Sequence, residues 1–262
     1  MSELKQQIVQ QLPYLRRYAR ALTGSQRAGD GLIRDSLEHL LQNPQRFEAG
    51  GSLPLRLFKL FHGTIGHPVA AMAELGGVSD PMQRRVGERL AELSPADRQA
   101  LLLVHQEGFS PAEASEILGL EMEEVERRID HAWADLKRQP PTDVLIIEDE
   151  PVIAMDVAQI VRGLGHSVIG IASRASQAVA KAREAKPGLI LADIQLADGS
   201  SGITAVHTIL KGAEVPVVFV TAFPERLLTG DTLEPAFVVT KPFDAASIEV
   251  AVSQALFFAR RG

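Results

Sequence analysis

A chain of 262 residues is long enough for two domains, because a single hydrophobic core usually stops growing near that size. Hydrophobic residues make up 45% of the chain and charged residues 23%, a composition typical of a folded protein rather than a disordered one. The absence of cysteine excludes disulfides, thiol catalysis and cysteine-ligated zinc. The sequence has neither an apolar run of about 18 residues nor a secretion signal, so we expect a cytoplasmic protein without a membrane span.

The first half of the sequence is predicted to be helical throughout. Apolar residues recur at helical spacing in QLPYLRRYARALTG, and Gly24 is suited to end that helix. We expect a second amphipathic helix over residues 30–41 and a third from about Ser52. Residues 63–81 are rich in glycine and proline, which predicts a loop-rich connector after the third helix.

The helices that follow have explicit starting signals. Ser94 is predicted to cap one helix, and Ser110 with Glu113 forms a capping box at the start of the next. Gly119 then ends a short helix, and residues 121–136 form a longer one. A short helix, a turn and a longer helix are together typical of a helix-turn-helix.

The net charge of −6 is distributed unevenly over these helices. Residues 1–60 contain 9 basic and 5 acidic residues, whereas residues 61–140 contain 8 and 14. Between Glu107 and Asp135 there are nine carboxylates and only two arginines. A surface formed by this acidic stretch lacks the cations that bind nucleic-acid phosphates.

The character of the sequence changes at KRQPPTDVLIIEDE. Pro140 and Pro141 prevent a helix from continuing, and an apolar run typical of a buried strand begins at Val144. We therefore place the boundary between two domains near residue 140.

Strands and helices are predicted to alternate after this boundary. The expected strands span residues 144–148, 167–171, 189–193, 216–221 and 237–240. The expected helices span residues 151–164, 174–185, 202–211 and 244–260, with a further one near 224–229. Apolar strands separated by helices indicate a doubly wound parallel sheet, in which ligands bind at the carboxyl ends of the strands.

Polar residues stand at the predicted carboxyl ends of four strands. They are Glu148, Asp149, Glu150, Asp193, Thr221 and Lys241. Carboxylates without histidine or cysteine suit a hard cation such as Mg²⁺, whereas a lysine and a hydroxyl suit a phosphoryl group. Together they indicate a carboxylate that accepts phosphate. Each residue also has an ordinary structural explanation, as a helix cap, a β-forming residue or a turn residue.

The segments VLIIEDE, LILADIQL, VTA and TKPF, in this order, resemble the receiver domain of two-component response regulators over residues 142–262. The resemblance implies that a sensor histidine kinase phosphorylates Asp193 and that Thr221 and Lys241 bind the phosphoryl oxygens. It also implies a magnesium site formed by Glu148, Asp149, Asp193 and the main-chain carbonyl of Gln195.

Two features depart from the receiver pattern. The position three residues before Lys241, where the family usually has a switch aromatic residue, is Val238. Phe237 is one residue earlier, and the alternation of side chains along a strand is expected to turn it to the opposite face. The segment PERLLTGDTLEPA contains Gly230 and Pro235 where a regular fourth helix is expected.

The all-α first half resembles extracytoplasmic-function sigma factors. LPYLRRYARALTGSQRAGDGLIRDSLEHLL carries the resemblance to sigma region 2, which we assign to residues 1–62. LAELSPADRQALLLVHQEGFSPAEASEILGL and VERRIDHAWADL carry the resemblance to region 4, which we assign to residues 90–138. Residues 63–89 are the expected connector.

The predicted helix over residues 121–136 departs from sigma factors in its charge. Glu124 and Glu126 stand where such families usually have threonine and lysine, and Glu121 is a further carboxylate near its start. These glutamates repel DNA phosphates, although acidic residues at a helix start also have the ordinary explanation of a solvated face. We interpret Glu121, Glu124 and Glu126 as candidate contacts to a protein partner.

A sigma-like half followed by a receiver resembles the PhyR family of alphaproteobacterial general stress response regulators. The resemblance implies capture of an anti-sigma factor, NepR, by the sigma-like half after phosphorylation, with the unphosphorylated receiver masking the binding surface. It implies no enzymatic activity and no direct DNA binding. The alternative is a DNA-binding response regulator that uses the helix-turn-helix at residues 110–136; RNA-binding antitermination has less support because no basic or aromatic surface is evident.

Overall fold

The computed structural model describes residues 2–44, 47, 50–65, 95–136, 139–224, 227 and 235–259. The chain divides into two compact units, Met1–Asp135 and Leu136–Gly262. Within the described ranges, no helix combines the length and the apolar character that crossing a membrane requires.

The first unit is built from helices, as the sequence predicts. The described residues form α1 (Ser2–Thr23), α2 (Gln26–Gln42), α3 (Leu53–Ile65), α4 (Pro95–His105), α5 (Pro111–Leu118) and α6 (Met122–Leu136). The predicted helix cap Ser94 and residues 66–89 of the predicted connector lie outside the described ranges.

Helix α2 begins four residues before its predicted start at residue 30, so that prediction was wrong. The Ser25 side chain accepts a hydrogen bond from the Ala28 amide and caps the helix. Gly29 packs directly on α1, where a Cβ atom would lie 2.8 Å from the Arg20 nitrogen. The glycine that weakens the helical pattern in the sequence is therefore the residue that lets the two helices approach.

Helices α1–α3 form the first lobe of this unit and α4–α6 form the second, and α3 extends beyond residue 62, the predicted end of the first lobe. The structure continues the helix through Gly63 and Thr64 to Ile65, whereas the sequence predicts a loop-rich connector from residue 63. Ile65 and Phe61 lie one turn apart and are both buried, which explains why the last turn is retained.

The two helical lobes share one interior. The Arg17 guanidinium on α1 binds the Glu107 carboxylate after α4 at 2.8 Å, with side-chain exposures of 6% and 3%. The ring of Phe58 on α3 contacts the ring of Phe109 before α5, with centroids 5.0 Å apart. A buried, bidentate ion pair and an aromatic contact therefore join α1 and α3 to the helix-turn-helix.

The predicted helix-turn-helix is confirmed in the second lobe. The Ser110 hydroxyl and the Glu113 carboxylate form both halves of a capping box at the start of α5. Gly119 ends α5 with a φ of 65°, a left-handed conformation that favours glycine. Helix α6 follows after Leu120 and Glu121.

The second unit is a five-stranded parallel sheet with helices between its strands, and the predicted fold class is confirmed. The strands are β1 (Asp143–Ile147), β2 (Ser167–Ala172), β3 (Leu189–Ala192), β4 (Val217–Thr221) and β5 (Phe237–Thr240), in the order β2-β1-β3-β4-β5. The helices are α7 (Pro151–Gly163), α8 (Ala175–Ala185), α9 (Gly202–Leu210) and α10 (Ala245–Ala259). Most of residues 224–229, where a further helix is expected, lie outside the described ranges, as does Gly230.

Phe237 and Val238 of strand β5 lie on opposite faces of the sheet. Val238 joins the core cluster that contains Ile190 and Phe219. Phe237 instead stacks on Phe258 of α10, with ring centroids 5.8 Å apart. The aromatic ring is thus part of the α10 packing and does not substitute for Val238.

Candidate functional site

The carboxyl ends of β1 and β3 bring three carboxylates together. Ile147 and Ala192 are register partners in these neighbouring strands, so the next residues, Glu148 and Asp193, emerge side by side. Glu148, Asp149 and Asp193 each have a carboxylate oxygen within 4.8 Å of the other two. This is the edge of the sheet at which the sequence predicts the site.

Lys241 lies between two of these carboxylates. Its Nζ donates to Glu148 Oε2 at 2.7 Å and to Asp193 Oδ2 at 2.8 Å. The backbone amide of Lys241 donates to the Thr221 carbonyl at 2.8 Å, which ties the end of β5 to the end of β4. The side chain is only 11% exposed, so the ammonium is held close to the carboxylates.

Burial and hydrogen bonding act in opposite directions at this ion pair. Burial raises the pKa of Glu148, and the hydrogen bond from Lys241 opposes this increase only in part. Burial also disfavours the charged form of Lys241, but hydrogen bonds to Asp193 and Glu148 outweigh it and raise the lysine pKa. The lysine is therefore a protonated ammonium shared by two acidic groups.

Backbone amides hold the other carboxylate oxygens. Asp193 Oδ1 accepts from the Ile194 amide at 2.6 Å and from the Gln195 amide at 3.4 Å. Asp149 Oδ2 accepts from the Ala197 amide at 3.1 Å. Both aspartates are thereby fixed relative to the loop between β3 and α9.

Thr221 is placed differently from the other predicted residues. It ends β4 with no exposed surface, and its Oγ1 accepts a hydrogen bond from the Phe223 amide at 3.1 Å. A recess of about 730 Å³ opens beside the carboxylates, and Thr221 and Glu148 do not line it. The lining residues are Asp149, Glu150, Asp193, Gln195, Phe223 and Lys241 together with residues of the β3–α9 loop.

The structure also reveals one glycine at this site that the sequence analysis did not single out. A Cβ atom on Gly202 would lie 1.7 Å from the Asp193 carbonyl oxygen, so only glycine allows α9 to start this close to Asp193. Ser201 before it caps the helix by accepting from the Thr204 amide. The sequence signal that could have identified Gly202 is the pair of a serine and a glycine at the predicted start of this helix.

The remaining candidates are Glu124 and Glu126 on α6 of the first unit and Glu121 directly before this helix. Glu124 binds both arginines of the helix, Arg127 and Arg128, the latter at 2.6 Å. Hydrogen bonds from Arg128 and Arg127 lower the pKa of Glu124. Glu121 and Glu126 are exposed. Both arginines of the helix are therefore paired with one carboxylate of the same helix.

Three family models match consecutive parts of the chain. They are described as the Sigma2 domain of PhyR, at residues 8–62, the sigma-like domain of the response regulator PhyR, at 90–139, and the response regulator receiver domain, at 144–253. The Phyllosphere-induced regulator PhyR of Methylorubrum extorquens is 48% identical, covering 97% of this chain and 94% of that protein. The chain belongs to the PhyR family of response regulators.

Solved PhyR structures share this architecture. PhyR of Brucella abortus is 45% identical with a TM-score of 0.82, covering 97% of this chain and 94% of that one. The anti-anti-sigma factor PhyR of Bartonella quintana is 44% identical with a TM-score of 0.81, covering 95% and 94%. The helical unit and the receiver sheet are therefore both features of PhyR proteins.

Proposed function

We propose that this chain is a phosphorylation-activated anti-anti-sigma factor whose sigma-like unit binds an anti-sigma factor of the NepR type and so releases a stress sigma factor. One observation carries the proposal. Helix α6, which a DNA-binding regulator would place in the major groove, has both of its arginines bound to Glu124. The name of the Bartonella relative, an anti-anti-sigma factor, supports the same function.

Asp193 is the proposed phosphoacceptor. A carboxylate oxygen of Asp193 attacks the phosphorus of a phosphohistidine on a sensor histidine kinase. The new P–O bond forms as the P–N bond breaks, and the released imidazole takes up a proton. Lys241, 2.8 Å from Asp193, balances the charge of the aspartate and of the incoming phosphoryl oxygens. The chemistry thus transfers a phosphoryl group to the chain, and we assign the chain no enzymatic activity of its own.

Thr221 is proposed to bind a phosphoryl oxygen after a change in its surroundings. Its hydroxyl oxygen accepts from the Phe223 amide, which leaves the hydroxyl hydrogen available for an acceptor. A phosphoryl oxygen on Asp193 is such an acceptor. Because the hydroxyl is buried, its use requires the Phe223 segment to move.

The three carboxylates fit a magnesium ion. Their oxygens lie within 4.8 Å of one another, and an all-oxygen set matches the preference of this hard cation. We assign Glu148, Asp149, Asp193 and the main-chain carbonyl of Gln195 as its protein ligands. When bound, the ion would neutralise charge on the transferred phosphoryl group.

The experiment that separates this function from DNA binding is a binding titration with two partners. Full-length protein, activated with beryllofluoride and Mg²⁺, is titrated against the NepR-type protein of its own organism and against a stress-promoter duplex at about 0.15 M salt. We expect binding to the protein and none to the duplex, since cationic contacts supply most non-specific DNA affinity. Promoter binding without protein binding would contradict the proposal.

Two glutamate variants sharpen this test. Glu124→Gln releases Arg127 and Arg128, so we expect it to raise DNA affinity measurably at low salt. Glu126→Gln removes the same charge from an exposed position and is the matched control. Glu121, Glu124 and Glu126 remain candidate partner contacts, and the same two variants together with Glu121→Gln measure their effect on anti-sigma binding.

A further inference from the structure

A recess on the first unit is lined by basic side chains, and none of its described lining residues belongs to α6. It has a volume of about 530 Å³ and opens between α3, the end of α2 and α5. Phe47, Leu55 and Leu60 provide an apolar lining. The apolar surface and the basic side chains described next share one concavity, which is typical of a binding site.

Among the described residues, three basic side chains and one carboxylate line the recess. His39, Arg56 and Lys59 are the basic residues, and Glu116 is the carboxylate. Lys59 Nζ contacts Glu116 Oε1 at 3.3 Å, and both side chains are partly exposed. Glu116 therefore engages Lys59, and basic side chains outnumber carboxylates among the lining residues that the structure describes.

Arg56 is the decisive residue. Its guanidinium lies 4.1 Å from the centroid of the Phe47 ring, which fixes the orientation of the planar group. Its Nε atom is buried and has no hydrogen-bond acceptor among the residues that the structure describes. A buried donor without an acceptor is unfavourable, and an oriented guanidinium matches a carboxylate through two parallel hydrogen bonds.

We propose that this recess binds an acidic segment of the anti-sigma factor, with a carboxylate on Arg56 and a neighbouring apolar side chain against Phe47 and Leu55. This inference rests on the proposed function, because it names the contact through which that partner is held. A recessed site with apolar walls favours a protein segment over a nucleic-acid backbone, whose phosphates are bound by exposed cations. The surplus of basic residues in residues 1–60 is consistent with an acidic partner.

The test compares charge variants of the full chain activated with beryllofluoride and Mg²⁺. The probe is the NepR-type protein of the same organism, and the readout is its dissociation constant. Arg56→Met keeps the apolar stem but removes the guanidinium, and we expect binding to weaken by about tenfold or more. Arg34→Met, at an exposed position on α2 outside the recess, is the matched control and should change binding by less than about twofold.

A second variant predicts a gain. Glu116→Gln removes the only carboxylate among the described lining residues, so we expect binding to tighten by about threefold. Arg56→Met could lose its cooperative thermal transition while Glu116→Gln leaves the dissociation constant unchanged. This pair of results would show that the recess has a structural role and would overturn the inference.

The outcomes distinguish the inference from the proposed function. If the wild-type chain binds the anti-sigma factor and Arg56→Met binds equally well, the inference is wrong and the proposed function stands. If the activated wild-type chain does not bind the anti-sigma factor, both are overturned.

Discussion

At the scale of single residues, the candidate site depends on the sharing of one ammonium by two carboxylates. Lys241 contacts Glu148 and Asp193, which come from strands β1 and β3, while Lys241 itself follows β5. Because Glu148 is only 4% exposed, water cannot effectively replace the ammonium of Lys241 as its hydrogen-bond donor. Lys241 therefore has a structural role in the metal-free protein in addition to its proposed role toward phosphate.

We expect Lys241→Gln to lower the free energy of unfolding by about 1–3 kcal/mol in EDTA, because both carboxylates lose their hydrogen-bonded cation. The loss should shrink in excess Mg²⁺, since a bound cation replaces the missing charge and the variant has no competing ammonium. Urea denaturation under both conditions measures the effect, and Lys211→Gln, at an exposed position, is the control. Wild-type stability of Lys241→Gln in EDTA would contradict the prediction.

A second residue-scale feature is the hydrogen bond between Tyr18 and His62. The hydroxyl oxygen and Nε2 are 2.8 Å apart. Burial lowers the pKa of His62 to about 3, while burial and the charge of Glu107 raise the pKa of Tyr18. At neutral pH the phenol is therefore protonated and the imidazole is neutral.

This histidine makes folding sensitive to acid. An unfolded histidine titrates near pH 6.5, so the unfolded chain binds a proton between pH 6.5 and 3 that the folded chain does not. Stability is consequently lost as the pH falls through this range. We expect the free energy of unfolding at pH 5 to drop by about 1–2 kcal/mol more in wild type than in His62→Gln. Urea titrations at pH 7 and 5 test this, with exposed His131→Gln as the control; equal losses in wild type and His62→Gln would refute it.

At the scale of helices and strands, local signals predicted the elements well and their ends less well. The capping box at Ser110 and the polar residues after β1 and β3 could be predicted, because each of these signals consists of residues that are close together in the sequence. The start of α2 could not be predicted in this way. Gly29 is required because α2 packs closely on α1 at this position, and such a contact leaves no pattern in the neighbouring sequence. The same applies to Gly202, whose need for glycine comes from the Asp193 carbonyl.

The two glycines of α2 provide a matched test of this explanation. Gly29→Ala places a Cβ atom within 2.8–2.9 Å of the α1 backbone, so we expect a loss of about 1–3 kcal/mol in the free energy of unfolding. Gly31→Ala meets nothing within 4 Å and should stabilise the helix by about 0.5–1 kcal/mol. Chemical denaturation of both variants measures these changes. A Gly29→Ala variant with an unchanged or higher free energy of unfolding would show that the close approach of α2 to α1 does not require glycine.

At the scale of the whole molecule, chain length predicted two domains, and the polar residues at the strand ends predicted the receiver. The sequence did not predict that the two helical lobes share an interior. Arg17 and Glu107 form the buried ion pair that joins them, yet 90 positions separate the two residues and neither has a distinctive neighbour pattern. The recess beside Arg56 was also not predicted, since α3 and α5 meet only in the folded unit.

The proposed function requires coupling between phosphate on Asp193 in one unit and partner binding by the other. Such coupling is a free energy shared by the two sites, so each tenfold gain in partner affinity corresponds to about 1.4 kcal/mol of preference for the phosphorylated state. The same reciprocity implies that the bound partner favours phosphorylation of Asp193 by an equal factor at equilibrium.

The most direct test is the dissociation constant for the NepR-type protein, measured with and without beryllofluoride in the presence of Mg²⁺. We expect activation to tighten binding of the wild-type chain by about tenfold or more. Asp193→Ala should lose this gain, whereas Asp156→Ala, at an exposed position on α7, should retain it. An unchanged dissociation constant on activation of the wild-type chain, or a gain that persists in Asp193→Ala, would contradict the account.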